Sequence, residues 1–243
     1  MNHILQEHIS DLQLVQYSVL PLDSTQGFIE IVEHSQTIQE IQNNKFSIQN
    51  YILEHNPQLT IHEIRNRFTK SCAVYCVISY LLGIGDRHLD NIMITQSGYL
   101  FHIDFSFILG YTAKMLSPEI KITPDMIDAM GGDKSIYFTL FKDTCKQSFT
   151  QLRRHTNIFL SMLLMLSRYC PSIDNHKYTK EYIENQVLLR FMPGENNEQA
   201  ELRFITKFDK NRKSTYSNML LDYCHKKTQD NSLLSTISHF FSS

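Results

Sequence analysis

Residues 83–106 read Gly-Ile-Gly-Asp-Arg-His-Leu-Asp-Asn-Ile-Met-Ile-Thr-Gln-Ser-Gly-Tyr-Leu-Phe-His-Ile-Asp-Phe-Ser. Two short apolar runs flank a Gln-Ser-Gly turn, the signature of a β-hairpin. Asp86, Arg87, His88 and Asn91 stand just before its first strand, and Asp104 stands just after its second. The two ends of a hairpin lie side by side. One face therefore gathers two carboxylates, an amide, an imidazole and a guanidinium. Such a set suits the transfer of a phosphoryl group from a Mg-bound nucleotide, where catalysis is mostly positioning and charge neutralisation.

Spacing narrows the reading. Asp86 precedes Asn91 as in the kinase pattern Asp-x-x-x-x-Asn, and Asp104-Phe105 opens a triplet like the Asp-Phe-Gly of kinases. Protein kinases carry His-Arg-Asp before the Asn, whereas this chain carries Asp86-Arg87-His88. A turn built of Asp, Asn and Gly for structural reasons alone would account for one such pair, but not for the whole set at this spacing.

Around the hairpin the chain reads as α+β, mainly α. Leu14–Leu20 and Phe28–Val32 are β-like, with a turn over Asp23–Gly27. Ile38–Ile41 and Ile48–Leu53 fit short helices. Thr60-x-x-Glu63 is a capping box, and Ile61, Ile64, Phe68, Cys72, Tyr75, Cys76 and Leu82 keep helical spacing until Gly83 stops the run. Residues 105–122 read as a loop. Thr123-Pro124-Asp125 starts a helix that Gly131-Gly132 ends, and Phe138, Phe141, Cys145, Phe149 and Leu152 mark another helical stripe. Further helices are expected over 155–168, 179–190, 197–208 and 215–227.

Bulk properties exclude several classes. The 243 residues suffice for one large domain with its own core. A net charge of −2 argues against a nucleic-acid binder. The apolar stretches Cys72–Ile84 and Ile158–Leu166 fall short of the ~20 residues of a membrane span, and the first residues show no secretory signal. Five cysteines without a CxxC motif fit a reducing cytoplasmic compartment, and Cys72 and Cys76 read as small core residues on one helix face.

The order Gly-Asp-Arg-His-x-x-Asn-Ile resembles the phosphatidylinositol 3-/4-kinase superfamily. The resemblance extends to Ser47-Ile48-Gln49-Asn50, to the run Lys70–Gly83, to Met130-Gly131-Gly132 and to Leu152-Arg153-Arg154, where the chain is similar to class III phosphatidylinositol 3-kinases of the Vps34 type. It covers nearly the whole chain and thins after about residue 190. It implies a protein-kinase-like C-terminal lobe with a catalytic β-hairpin and a remnant of the N-lobe sheet. The segments would be 1–34 for the remnant and hinge, 35–228 for the helical lobe, with catalytic loop 83–95 and activation loop 104–122, and 229–243 for a C-terminal amphipathic segment.

The same resemblance implies roles. Asp86 and His88 would form the catalytic pair, with His88 accepting the inositol hydroxyl proton and Arg87 bracing the loop. Asn91 and Asp104 would hold Mg²⁺, or Mn²⁺, through hard oxygen ligands. Glu30, Ile31 and Val32 match the inter-lobe hinge that meets the adenine of ATP, with Met93 and Ile103 as the apolar floor beneath it. Lys114 and Lys121 would face the lipid headgroup. So few cations favour unphosphorylated phosphatidylinositol, since each added phosphate needs counter-charge.

The implied activity is Mg-ATP-dependent phosphorylation of phosphatidylinositol at the 3-position, on a membrane surface, by a cytoplasmic protein peripheral to endosomal or other internal membranes, with a regulatory subunit as a possible partner. A 4-kinase and a truncated or degenerate non-catalytic binding module are the alternatives. Two departures stand out. Ser106 replaces the Gly of the Asp-Phe-Gly triplet. The family's phosphate-covering loop and ATP lysine precede the hinge, whereas Lys45 and Lys70 both follow it. At the far end, Lys226 and Lys227 precede a stripe of Leu233, Leu234, Ile237, Phe240 and Phe241, which fits a membrane-surface helix or a helix packed on its own bundle.

Overall fold

In the computed structural model the described residues are 1–23, 26–111, 120–169 and 178–229, with the side chains of 167–169 and 214–229 left aside. The molecule is organised around helix α4, Ile61–Leu82. Thr60 Oγ1 accepts from the Glu63 amide while the Glu63 carboxylate accepts from the Thr60 amide, so the expected capping box starts the helix. From Thr69 to Leu81 almost every side chain is buried, including the polar Ser71 and Ser79. A helix apolar all round must be covered on every side. Here it is covered by α6 (Ile136–Arg153), α8 (Lys180–Phe191), α3 (Ile48–His55) and strand β5 (Leu100–His102).

The hairpin forms as expected, from β4 (Ile92–Thr95) and β5, with Met93 opposite Phe101. It is not alone. Strand β3, Ser35–Thr37, adds to the outer edge of β4 and gives an antiparallel three-stranded sheet in the order β3-β4-β5. Sequence reading gave no strand there, because Ser-Gln-Thr lacks apolar alternation. Thr37 then caps α2 (Ile38–Asn43), and Ser47 caps α3.

Three expectations need correction. The β-like run from Leu14 shortens to β1, Val19–Pro21, which pairs with β2, Gly27–Ile29. Its first half is held by side chains instead of a ladder: Tyr75 Oη donates to the Val15 carbonyl at 3.1 Å and Tyr17 Oη donates to the His102 carbonyl at 3.1 Å. A short N-terminal helix, α1 (Asn2–Gln6), precedes it. The two helices expected at 197–208 and 215–227 are one, α9, Asn197–Gln229. No Gly or Pro interrupts that stretch, and its polar middle is solvated and paired, Lys142 with Asp209 at 3.2 Å and Arg212 with Asp133 at 3.9 Å. The basic residues Lys207, Lys210, Arg212 and Lys213 thus lie mid-helix.

Helices α5 (Pro124–Ala129, capped by Thr123), α6 and α7 (Thr156–Tyr169) fall where the pattern put them. Phe149 stacks on Phe204 at 4.9 Å and Phe141 meets Phe208 at 5.4 Å, which seats α9 on α6. Cys72, Cys76 and Cys145 are buried and free. The mutual hydrogen bond with Cys76, together with burial, holds the Cys72 thiol well above its usual value, in keeping with core residues. Among the described residues no helix is long and apolar enough to cross a membrane. The C-terminal stripe and Lys114 lie outside the described residues.

Candidate active site

Helix α4 ends in a Schellman turn. Gly83 adopts φ +57°, its amide donates to Tyr80, and the Ile84 amide donates to Ser79. The turn aims residues 84–91 along the end of the sheet. There Arg87 is buried, and its guanidinium is spent on main-chain carbonyls: Nε to Gly85 at 3.0 Å, Nη1 to Ile103 at 2.7 Å and Nη2 to Asp104. Burial pulls its pKa down while the carboxylates of Asp104 and Asp86 hold it up. Arg87 braces the loop against the end of β5 and has its donors committed, so it is a support for the site and does not reach into solvent.

The brace brings the other groups together. A 3-10 turn over Leu89–Asn91 carries Asn91. Its side chain is buried, Nδ2 donating to the Asp86 carbonyl at 3.0 Å, and its own carbonyl accepts from the Ile103 amide at 3.2 Å. Asp104 follows Ile103 directly. The carboxylates of Asp86 and Asp104 both lie within electrostatic reach of the Arg87 guanidinium. Both hold left-handed backbones, φ +51° and +58°. Asp tolerates this region better than most residues, and such conformations persist where surrounding structure enforces them.

His88 lies half-exposed between two carboxylates, Nε2 at 3.8 Å from Asp86 and Nδ1 at 3.5 Å from Asp90. Asp90 was not singled out from the sequence, although its position two residues after His88 was visible. The Asp104 carboxylate is oriented by Ser106, whose amide and hydroxyl donate to Oδ1 at 3.0 and 2.6 Å. These two bonds lower the Asp104 pKa, with Arg87 and His88 adding to the effect. The Ser in place of Gly thus adds a hydroxyl bond that helps to orient the exposed Asp104.

The remaining candidates surround this centre. Met93 lies opposite Phe101, and by strand alternation Ile103 continues the Phe101 face, so Met93 and Ile103 share one side of the sheet. Both are half-buried, with Tyr17 beside Phe101 at 6.2 Å. Glu30 follows β2; its amide donates to the Ser18 carbonyl and its carboxylate accepts from the Ser18 amide at 2.8 Å. Ile31 is exposed, and the Val32 carbonyl accepts from Ser35 Oγ at 2.7 Å. Lys121 is half-buried between the buried Ile120 and Ile122.

The donor set admits a divalent cation of one kind. Among the described residues no three His, Cys, Asp or Glu side chains could cage a metal on their own. An exposed Asp104, and an Asn91 whose amide nitrogen is engaged, would offer hard oxygens in the low number that suits a cation such as Mg²⁺, which completes its shell with water and substrate phosphates.

The description "Phosphatidylinositol 3- and 4-kinase" belongs to the family model that matches residues 1–177. The chain belongs to the phosphatidylinositol 3- and 4-kinase family. It is 32% identical over 238 residues to phosphatidylinositol 3-kinase pik3 of Schizosaccharomyces pombe, covering 94% of this chain and 29% of that protein. It is 39% identical over 179 residues to phosphatidylinositol 3-kinase VPS34 of Arabidopsis thaliana, covering 71% and 22%, respectively. With phosphatidylinositol 3-kinase VPS34 of Saccharomyces cerevisiae the identity is 36% over 179 residues, covering 71% and 20%. The chain thus spans less than a third of the length of these relatives. Within this kinase family it is mainly helical, with small antiparallel sheets.

Proposed function

We propose that this chain supplies the catalytic lobe of a lipid kinase that transfers the γ-phosphoryl group of Mg-ATP to the 3-hydroxyl of phosphatidylinositol in a membrane surface. The observation that supports the reading is that Asn91 binds the Asp86 carbonyl and the buried Arg87 binds the Asp104 carbonyl, with both carboxylates in electrostatic reach of its guanidinium. The names of the relatives, all phosphatidylinositol 3-kinases, favour the 3-position over the 4-position.

In this reading His88 accepts the proton of the attacking inositol hydroxyl as its oxygen bonds to the γ-phosphorus and the bond to the ADP oxygen breaks. The 3.8 Å between His88 Nε2 and Asp86 Oδ2 is too long for a hydrogen bond, so Nε2 is not committed to that carboxylate and can accept from the hydroxyl. Asp90 steadies the ring from the Nδ1 side. Asn91 and Asp104 hold the metal, which when bound neutralises the phosphate charge that builds up in transfer. The adenine lies on Met93 and Ile103 and meets the hinge at Glu30–Val32. Since the Glu30 amide and the Val32 carbonyl are engaged, the base is met by the Glu30 carbonyl, the Ile31 backbone and the Val32 amide. Lys121 and Lys114 approach the headgroup. The protein-kinase-like division into a remnant N-lobe, a helical lobe and a C-terminal segment belongs to the same reading, as do a regulatory subunit and a place on endosomal or other internal membranes.

The test is a kinase assay on phosphatidylinositol vesicles with Mg²⁺ and labelled ATP, with the product resolved by ring position. The wild-type chain is expected to give the 3-phosphate, and Asp104→Asn and His88→Asn to lower the rate by at least about 100-fold. Equal signal from wild type and Asp104→Asn removes the metal role, and a 4-phosphate product replaces the assigned regiochemistry.

A further inference from the structure

The loop that leaves Asp104 is tied down again within a few residues. The Leu109 amide donates to the Leu82 carbonyl at 2.7 Å, the Gly110 amide to the Gly83 carbonyl at 2.8 Å, and the Gly85 amide to the Phe107 carbonyl at 2.9 Å. These bonds lay residues 107–110 along the C-terminal end of α4, the same end that launches Asp86. Helix α8 lies across this junction. Tyr182 Oη donates to the Leu109 carbonyl at 2.8 Å, and Tyr178 Oη, just ahead of the helix, donates to the Ile108 carbonyl at 3.3 Å.

Arg190, about two turns further along α8, closes the junction. It is 3% exposed, and its Nη1 donates to Gln186. Its guanidinium occupies the space where side chains would begin on the two glycines. A Cβ on Gly83 would come within 2.8 Å of Arg190 Nε, and one on Gly110 within 2.4 Å of Nη2. A cation over the last carbonyls of α4 also meets the negative end of the helix dipole. Both glycines are thus required by the close approach as well as by their positive φ values. The three α8-side residues, Tyr178, Tyr182 and Arg190, lie beyond the stretch 1–177 matched by the family model.

We infer that Tyr182 and Arg190 are positioning residues: α8 clamps residues 107–110 onto the α4 terminus and thereby holds Asp104 in its left-handed, metal-facing conformation. The chain on one side of Asp104 is fixed by Arg87, which binds the Ile103 and Asp104 carbonyls. The other side is fixed by α8. A residue at φ +58° relaxes toward the extended region once either restraint loosens, and the carboxylate then swings away from Asn91. The inference rests on the assignment of Asp104 as a metal ligand.

The experiment pairs a local measurement with a functional one that does not depend on turnover. Hydrogen exchange at the Leu109 and Gly110 amides and Mn²⁺ affinity by electron paramagnetic resonance are recorded on the full chain, as wild type, Tyr182→Phe and Arg190→Lys. Tyr182→Phe removes one hydroxyl and keeps the ring, so the fold is expected to survive. Exchange at both amides should rise about tenfold and the Mn²⁺ dissociation constant about three- to tenfold, while exchange in α6 stays unchanged. Arg190→Lys keeps the charge, loses the plane and should move both readouts the same way. If it unfolds the chain, Tyr182→Phe alone decides. Unchanged exchange, or faster exchange with unchanged Mn²⁺ affinity, overturns the clamp while leaving the metal assignment intact. A wild-type chain that binds no Mn²⁺ fails the metal assignment itself, and the clamp's role with it.

Discussion

His102 shows how a single side chain couples the site to the core. It is fully enclosed at the end of β5, with Nδ1 at 3.0 Å from Ser79 Oγ and its ring against Tyr75 at 5.1 Å. Burial first, and the nearby Arg87 charge second, push its pKa down to about 3. The folded protein therefore keeps the imidazole neutral while the unfolded chain takes up a proton below about 6.5. Stability from this residue is complete above that pH and is lost as pH falls, by up to about 1.4 kcal/mol per pH unit. Urea unfolding between pH 7 and 5 should show this slope, and His102→Gln should flatten it; parallel slopes in the two proteins would dismiss the buried imidazole as the source. Asp86, His88, Asn91 and Asp104 could be picked out by reading the chain because motif spacing lies along it. Asp90, Tyr17 and the Ser106 bonds to Asp104 could not, since those contacts depend on where side chains turn once the loop is folded.

At the scale of elements, chemistry local to the chain was readable and chemistry of approach was not. The Thr60 and Thr123 caps and the Gly83 stop each need only a few neighbouring residues, and all three appear in the structure. Strand β3 exists because β4 offers it an edge, and α9 runs on because α6 and its ion pairs support a polar stretch that looked like an ending. The two ends of α4 make a comparison. Thr60→Ala removes an exposed cap and should cost about 1 kcal/mol. Gly83→Ala places a Cβ on a left-handed residue, 2.4 Å from the Gly110 amide nitrogen, where only backbone can move. About 2–4 kcal/mol is expected from the combined strain. Denaturant midpoints of the two variants should rank in that order, and a Gly83→Ala protein as stable as Thr60→Ala would mean the junction between α4 and the loop is loose.

Across the whole molecule, stability is unevenly spread, and the division follows burial. The second half of α4, Ser71–Leu81, and its aromatic cover of Phe141, Phe149, Phe204 and Phe208 are closed to solvent. The β1–β2 ribbon has only two strands and exposes Val19, Leu20, Phe28 and Ile29, each more than half accessible. Two strands alone are marginal in water, so this ribbon draws little from the core that holds the site. Long-range docking of this kind has no period or motif to mark it, which is why neither the seating of α9 nor the isolation of the ribbon could be read from the chain. The contrast sets two expectations. Phe204→Ala empties a stacked position between Tyr80 and Phe149 and should destabilise the fold by about 3–5 kcal/mol. Val19→Thr together with Ile29→Thr should shift the unfolding midpoint by less than about 1 kcal/mol while lowering the tendency to associate. Amide exchange should follow the same order, fast over residues 19–29 and limited by global unfolding over 70–81. A ribbon protected as strongly as α4 would show that its apolar residues are covered after all, and would move the boundary of the cooperative unit to include residues 19–29.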